Sequence, residues 1–310
     1  MLVLRSPVEL PRASRGCCLA WGMFDGVHLG HQHVIRAALT EARTHGAPAV
    51  ALTFDPHPLR VVAPERAPRL LQPLSQRLRN FSELGLHAAL VFPFTAEVAA
   101  WSGERFIRQL VQEAGGLRSL SVGEGFQFGN SRSGDIPLLE RLGRELGFGL
   151  HVASPVSLGG NVVSSSRIRQ CLRAGQLDQV NELLGRAYAI SGVVQPGDRL
   201  GRQWGVPTAN LNVLGLELPP FGVYAARVRR LARSEDFPGV LNVGVRPTLG
   251  QPQGELRFEV HLLDFDGDLY GEELEVTFVE FLRAEQRFGS LDLLREQIGR
   301  DLLAARHALG

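Results

Sequence analysis

Lysine is absent from this chain: all 33 basic residues are arginine. That removes a phosphate-binding Walker lysine, a lysine Schiff base and the strand lysine of protein kinases. Any phosphate chemistry must use arginine, histidine, backbone N–H groups, hydroxyls and a metal. Cysteine is scarce as well. Cys17, Cys18 and Cys171 form neither a zinc-ligand spacing nor a disulfide framework. Cys17 and Cys18 read as small apolar residues of a buried strand. No apolar run is long enough to span a membrane, and the first residues lack the apolar stretch of a signal peptide. The expectation is a cytoplasmic protein without a membrane partner. Charge is nearly balanced at +1, which gives no electrostatic reason to expect nucleic acid as a partner. There is no internal repeat and no low-complexity tract.

What is present fills 310 residues, enough for two domains. Residues 17–153 alternate short apolar runs with helical patterns. The runs are "CCLAW", "APAVALTF", "AALVFPF", "SLSVG" and "GLHVAS"; helical spacing is expected near 75–85, 103–114 and 135–147. This order predicts α/β architecture with a doubly wound parallel sheet. Ligands of such sheets bind beyond the carboxyl ends of the strands. "GMFDGVHLGH", "TFDPHP" and "VGEGFQFGN" all follow strand candidates and could face one crevice. "SSSRIRQCLRAGQLDQVNELLGRAY" reads as two short helices joined at Gly175. From Ala189 the texture changes to strands broken by Gly, Pro and Asp, which predicts an antiparallel β-barrel. "SLDLLREQIGRDLLAARHAL" closes the chain as an amphipathic helix, with Leu291, Leu294, Ile298, Leu302 and Leu303 near one face. The expected domains are residues 1–186 and 187–310.

The stretch "WGMFDGVHLGHQHVIRAAL", residues 21–39, sets His28 and His31 where loop becomes helix. Their spacing can suit zinc, but no third ligand is evident within the motif. They could also serve as helix caps, which would explain one histidine. Phosphate binding explains more of the stretch. A helix N-terminus offers unpaired N–H groups and a positive dipole end to an anion. Gly26 and Gly30 allow close backbone approach. Two imidazoles add charge-assisted donors where charge grows during nucleotidyl transfer.

"HLGH" after a first strand resembles the HxGH signature of the adenylyl- and cytidylyltransferase superfamily. "VSSSRIR", ending at Arg169, resembles that superfamily's serine-rich helix start. "GMFDGVHLGHQ" together with "TFDPHP" narrows the resemblance to the FMN adenylyltransferase half of bacterial bifunctional riboflavin kinase/FAD synthetases. The resemblance implies that His28 and His31 contact the ATP phosphates. It places Ser164, Ser165, Ser166 and Arg169 opposite them. Gly22, Phe24, Asp25 and Gly26 would shape the nucleotide pocket. Phe54, His57 and Pro58 would line the flavin side, with Phe128 also at the site. The family usually reads VGxDFxFG or VGxNFxFG; here Gly125 takes the polar position.

"GDRLGRQWGVPTANL", residues 197–211, is the second constellation. Its glycines and arginines could hold phosphates. Thr208 and Asn210 are hard oxygen ligands suited to Mg²⁺. Local turn hydrogen bonds are the alternative. With "GVYAARV", "GVLNVGVRPT" and "FEVHLLDFDGDLYGEELEVTF", the motif resembles riboflavin kinase. That resemblance implies a six-stranded antiparallel barrel with a C-terminal helix. It makes Glu259 the general base, and Thr208 and Asn210 the magnesium and phosphate ligands. Gly201, Arg202, Gly205, Pro207 and Asn242 join the binding residues, and Arg283 and Phe288 cover the flavin ring. Glu259 shares a strand face with Arg257 and His261. "DFDGDLYG" reads as a hairpin turn.

The expected function is riboflavin plus ATP to FMN, then FMN plus ATP to FAD and pyrophosphate, with Mg²⁺ in both steps. The partners are ATP, riboflavin and FMN; a homo-oligomer is compatible with this. Two alternatives stay open: a kinase whose first domain is inactive or selective for another substrate, and a flavin-binding protein without turnover.

Overall fold

The computed structural model describes residues 1–10, 16–197, 201, 205–248 and 251–310. The chain forms two compact units, Met1–Arg69 with Leu74–Ser165, and Leu70–Pro73 with Ser166–Gly310.

The first unit is built on a six-stranded sheet. Its strands are β1 (Leu2–Leu4), β2 (Cys17–Trp21), β3 (Ala49–Asp55), β4 (Ala88–Pro93), β5 (Leu117–Gly123) and β6 (Gly149–Ala153). They lie in the order β1-β4-β3-β2-β5-β6, and every pairing is parallel. Every residue of β2 is buried, as expected for a parallel strand covered on both faces. Helices α1 (Leu29–His45), α2 (Pro58–Val62), α3 (Leu74–Glu83), α4 (Ala96–Ala99), α5 (Gly103–Glu113) and α6 (Ile136–Leu146) connect the strands.

Alternation along the strands sorts the core into two layers. Leu19, Trp21, Val50, Leu52 and Leu90 pack toward Phe106 and Ile107 of α5 and Leu139 and Leu142 of α6. Cys18, Ala20, Ala49 and Ala51 pack toward Ile35 and Ala38 of α1 and Phe81 of α3. The small residues on this second face let α1 lie close to the sheet. The chain leaves β2 toward β3 on one side and reaches β5 on the other only later. β2 is therefore the switch point, where loops at the carboxyl edge part to admit a ligand. β1 was not expected from the sequence; three residues at a sheet edge carry too little periodicity. The same holds for the two-residue strands β7 (Ser157–Leu158) and β8 (Asn161–Val162).

The second unit contains α7 (Ser165–Arg173, from Ser166 on), α8 (Leu177–Leu184) and a closed barrel. The barrel strands are β9 (Ala189–Gln195), β10 (Ala209–Leu211), β11 (Gly222–Arg230), β12 (Glu235–Thr248), β13 (Gln251–Leu262) and β14 (Glu273–Ala284). Their order is β10-β13-β12-β11-β14-β9, and β10 closes on β9. α9 (Leu291–Leu309) completes the unit. The structural division precedes the expected boundary at 186 by one helix pair, because specific bonds tie that pair to the barrel side. Arg173 forms a bidentate pair with buried Glu217 at 2.6 and 3.1 Å. The Asn181 side-chain oxygen accepts from the Tyr188 N–H at 2.7 Å. Leu70 is stitched in by backbone bonds to Gly215 and Glu217, and the Tyr188 hydroxyl donates to the Glu217 carbonyl at 2.9 Å.

Two details correct the sequence reading. Leu291 and Leu303 are exposed; α9 instead buries Asp301, Ala305 and Leu309. The segment after β13 is not a hairpin, since β13 pairs with β10 and β12 while β14 pairs with β11 and β9. It is a crossing connection, and it lines a cavity described below. Among the described residues, no helix is long and apolar enough to cross a membrane.

Candidate active sites

In the first unit, the loop after β2 turns sharply back into α1. Phe24 to Val27 form a reverse turn closed by the Val27 N–H on the Phe24 carbonyl at 3.1 Å. Gly26 takes φ 86° at its third position, where glycine is favoured. Phe24 and Val27 also have positive φ, 52° and 42°. For a β-branched residue this is a true outlier, and such strain concentrates at functional sites. His28 is the N-cap of α1, and its Nδ1 accepts from the His31 N–H at 3.3 Å. Nδ1 must then offer a lone pair, so the neutral ring carries its proton on Nε2. The two imidazoles stack with centroids 3.6 Å apart. Gly30 makes this possible, since an added Cβ would lie 3.2 Å from the His28 ring. Phe24 is buried edge-on to His31, and its ring lies over Gly22. Asp25 is buried beside them.

The other expected residues of this half sit as follows. The Ser165 hydroxyl donates to the Asp25 carbonyl at 2.9 Å, so it holds the loop as well as facing it. Ser164 is half-buried and Ser166 exposed. Arg169 is buried one turn after Ser165 on α7, so the two share a helix face. His57 caps α2, with Nδ1 accepting from the Leu59 N–H at 3.2 Å, and Pro58 follows at the first helical position. Phe54 and Phe128 are drawn into an aromatic cluster around Trp21 at 6.3 and 4.7 Å. Their surface is spent largely on packing. Among the described residues, no group of three His, Cys, Asp or Glu side chains could hold a metal.

In the second unit the register builds the site. Glu259 on β13 lies opposite Asn210 on β10 and Asn242 on β12. Asn242 is opposite Val223, and Val223 opposite Arg283. Side chains directly opposite in a sheet share a face. The row Asn210, Glu259, Asn242, Val223, Arg283 therefore lines one cavity of about 400 Å³. Thr208, Arg257 and His261 join it, and Val206, Leu294, Ile298, Leu302 and Phe288 supply apolar walls. The Arg257 guanidinium bonds Glu259 at 3.0 Å. His261 Nδ1 lies 2.7 Å from the Pro207 carbonyl, which only accepts, so Nδ1 carries the proton. Asn210 lies directly over Gly197, where any side chain would collide with its amide. Gly201 packs as closely against the Val206 carbonyl, while Gly205 holds φ 75°. Arg202 lies outside the described residues.

Arg283 is more constrained than expected. Its guanidinium chelates Asp301 of α9 at 2.7 and 2.8 Å, and it lies 5.8 Å from the Phe288 ring centroid. It anchors the wall of the cavity to the last helix. Glu285 belongs to the stretch "FLRAEQRF" that the resemblance makes a flap over the flavin, and it lies over the β12 backbone because Gly244 leaves room for its carboxylate. Asp301 was missed by the sequence reading: it sits among helix residues that look solvent-facing, with no motif to betray it. A second cavity of about 690 Å³ meets the first at Thr208. It is lined by Pro207 and by Phe265, Asp266, Asp268 and Tyr270 of the crossing connection.

Sequence comparison matches two regions along the chain. The FAD synthetase family model matches residues 10–167, and the riboflavin kinase model residues 184–309. A bifunctional riboflavin kinase/FMN adenylyltransferase from Escherichia coli (strain K12) is 40% identical over 311 residues, covering 100% of this chain and 98% of its own. The chain belongs to this family. A member from Pseudomonas fluorescens is 38% identical over 306 residues, covering 99% and 97%. A solved structure from Streptococcus pneumoniae, named a macrolide-efflux protein, shares the fold at 26% identity and TM-score 0.81 over 98% of both chains. Membership gives the two matched regions their order along the chain, the FAD synthetase region before the kinase region. Gly125, where the sequence resemblance expects a polar residue, takes φ 74°, with nothing within 4 Å of an added Cβ.

Proposed function

We propose that this chain makes FAD from riboflavin in two steps, phosphorylation in residues 187–310 and adenylyl transfer in residues 1–186. The observation that carries the reading is the cross-strand row that sets Glu259 between Asn210 and Asn242 at the wall of an apolar cavity. Apolar walls suit an isoalloxazine ring, and a carboxylate between two amides suits the polar end of a ribityl chain. The ribityl 5′-hydroxyl attacks the γ-phosphorus of ATP, Glu259 accepts its proton, and ADP leaves. The adjoining cavity at Thr208 would take the nucleotide. Thr208 and Asn210 present hard oxygen donors fit for Mg²⁺, which when bound neutralises charge on the transferring phosphates. Residue for residue, Arg257 and His261 then position the carboxylate and the 207–210 turn.

In the first unit, an FMN phosphate oxygen attacks the α-phosphorus of ATP and pyrophosphate leaves. His28 and His31 donate to the charge that grows there, aided by the first-turn N–H groups of α1. Ser164 and Ser165, at the end of the same unit, support the phosphates. Incubation with riboflavin, ATP and Mg²⁺, followed by chromatography, should yield FMN and then FAD. FMN alone would leave only the kinase half of the reading standing.

Gly125 allows a direct test of the polar group missing beside the adenylyl-transfer site. Asparagine tolerates the left-handed backbone region, and the surrounding space is open, so Gly125→Asn should fold normally. Its expected effect is a higher rate of FAD formation at limiting Mg²⁺, read by titrating the metal. An unchanged magnesium dependence would show that another group already makes the contact.

A further inference from the structure

Arg77 is a buried cation that the proposed chemistry leaves unused. It lies on α3, is 3% exposed, and sits beneath the carboxyl edge of the sheet. Its Nη1 donates to the Met23 carbonyl at 2.6 Å and to the Thr53 hydroxyl at 3.2 Å. The Thr53 hydroxyl donates to the same Met23 carbonyl at 3.0 Å. One carbonyl is thus gripped by two donors from two different elements. Met23 immediately precedes the turn in which Phe24 and Val27 hold positive φ. On the far side of that turn, the buried Gln32 amide donates to the Val27 carbonyl at 3.0 Å. Both ends of the strained stretch are therefore held through carbonyls bonded inward. Asp25, in the same turn, and Asp55, at the end of β3, supply the negative charge that offsets burial of the guanidinium.

We propose that Arg77, acting through Thr53 and the Met23 carbonyl, is a positioning residue for adenylyl transfer that holds the 23–27 turn in the shape presenting His28 and His31 to the phosphates. The inference rests on the adenylyl-transfer reading of the first unit. A guanidinium buried at this cost needs acceptors and opposing charges, and those it has, the Met23 carbonyl, the Thr53 hydroxyl, Asp25 and Asp55, lie on the loop after β2 and the end of β3, while its Nε is buried without a hydrogen-bond partner. The grip explains how a phenylalanine and a valine persist in a backbone region that they avoid. Arg77 does not touch the reacting atoms in this account. It fixes backbone whose misplacement by about 1 Å can cost ~10²-fold in rate.

The test uses the full-length chain with FMN and ATP as substrates. Arg77→Met should lower kcat for FAD formation ~10²-fold, with KM for FMN and ATP changing less than about threefold. Arg77→Lys keeps a charged donor and should recover at least part of that loss. Thr53→Val removes the second donor on the same carbonyl and should lower kcat more mildly. Because both donors serve one acceptor, combining Arg77→Lys with Thr53→Val should give a non-additive change in kcat. Circular dichroism melting reports whether each variant is folded. If Arg77→Met does not fold, the Arg77→Lys and Thr53→Val arms decide. Folded variants with parental kcat, or with effects confined to KM or melting temperature, would overturn the positioning role while the parent still makes FAD. A parent chain that makes no FAD would overturn the reading beneath it, and the positioning role with it.

Discussion

Glu259→Gln should lower riboflavin phosphorylation by ~10²–10⁴-fold while leaving FAD formation from supplied FMN at the parental rate. The substitution keeps the volume and the hydrogen-bonding reach of the side chain between Asn210 and Asn242. What it removes is the basic oxygen. It also breaks the ion pair with Arg257, which could by itself disturb the cavity. Arg257→Gln is the control for that effect: it breaks the same pair and keeps the carboxylate. If Glu259 is the general base, Arg257→Gln should retain far more activity than Glu259→Gln. A Glu259→Gln enzyme that phosphorylates riboflavin at the parental rate would end the base assignment.

Glu259 entered as the base through the resemblance; strand alternation, a short-range rule, added only that Arg257, Glu259 and His261 share a face. Its neighbours Asn210 and Asn242 were legible as residues, but their juxtaposition was not, since register between distant strands is set by the closed barrel. The connection after β13 shows the same limit more sharply. Gly, Asp and Tyr signal a turn between two strand patterns, and the simplest such turn is a hairpin. Only the barrel order reveals that these strands never pair and that the connection lines a cavity. In the first unit the strands of the sheet interior were visible as unbroken apolar runs, while β1, at the edge, was too short to stand out. Arg77 lay outside any motif. A cation on the α3 helical pattern looks solvent-exposed until the sheet's carboxyl edge is seen to close over it. Arg283 was recognised as part of the kinase site, yet its bidentate hold on Asp301 depends on α9 returning across the barrel.

His31→Ala should lower FAD formation by ~10²–10³-fold and leave FMN formation unchanged, because it deletes a donor aimed at charge that develops only during transfer. His28 needs a more careful substitution, since it has two roles. Its Nδ1 caps α1 by accepting from the His31 N–H, and its Nε2 carries the proton that would reach the phosphates. His28→Ala loses both, including about 1 kcal/mol of cap. His28→Asn separates them. Asparagine is a preferred N-cap and can restore the acceptor, but it cannot present an imidazole N–H at the same place. His28→Asn should therefore melt close to the parent and still lose FAD formation about as severely as His28→Ala. The stacked rings, 3.6 Å apart, add a condition. Removing either imidazole frees the other to turn, so the double variant should be little worse than the more damaging single one. If His28→Asn formed FAD at the parental rate, capping would be the histidine's whole contribution, and its imidazole would have no part in holding the phosphates.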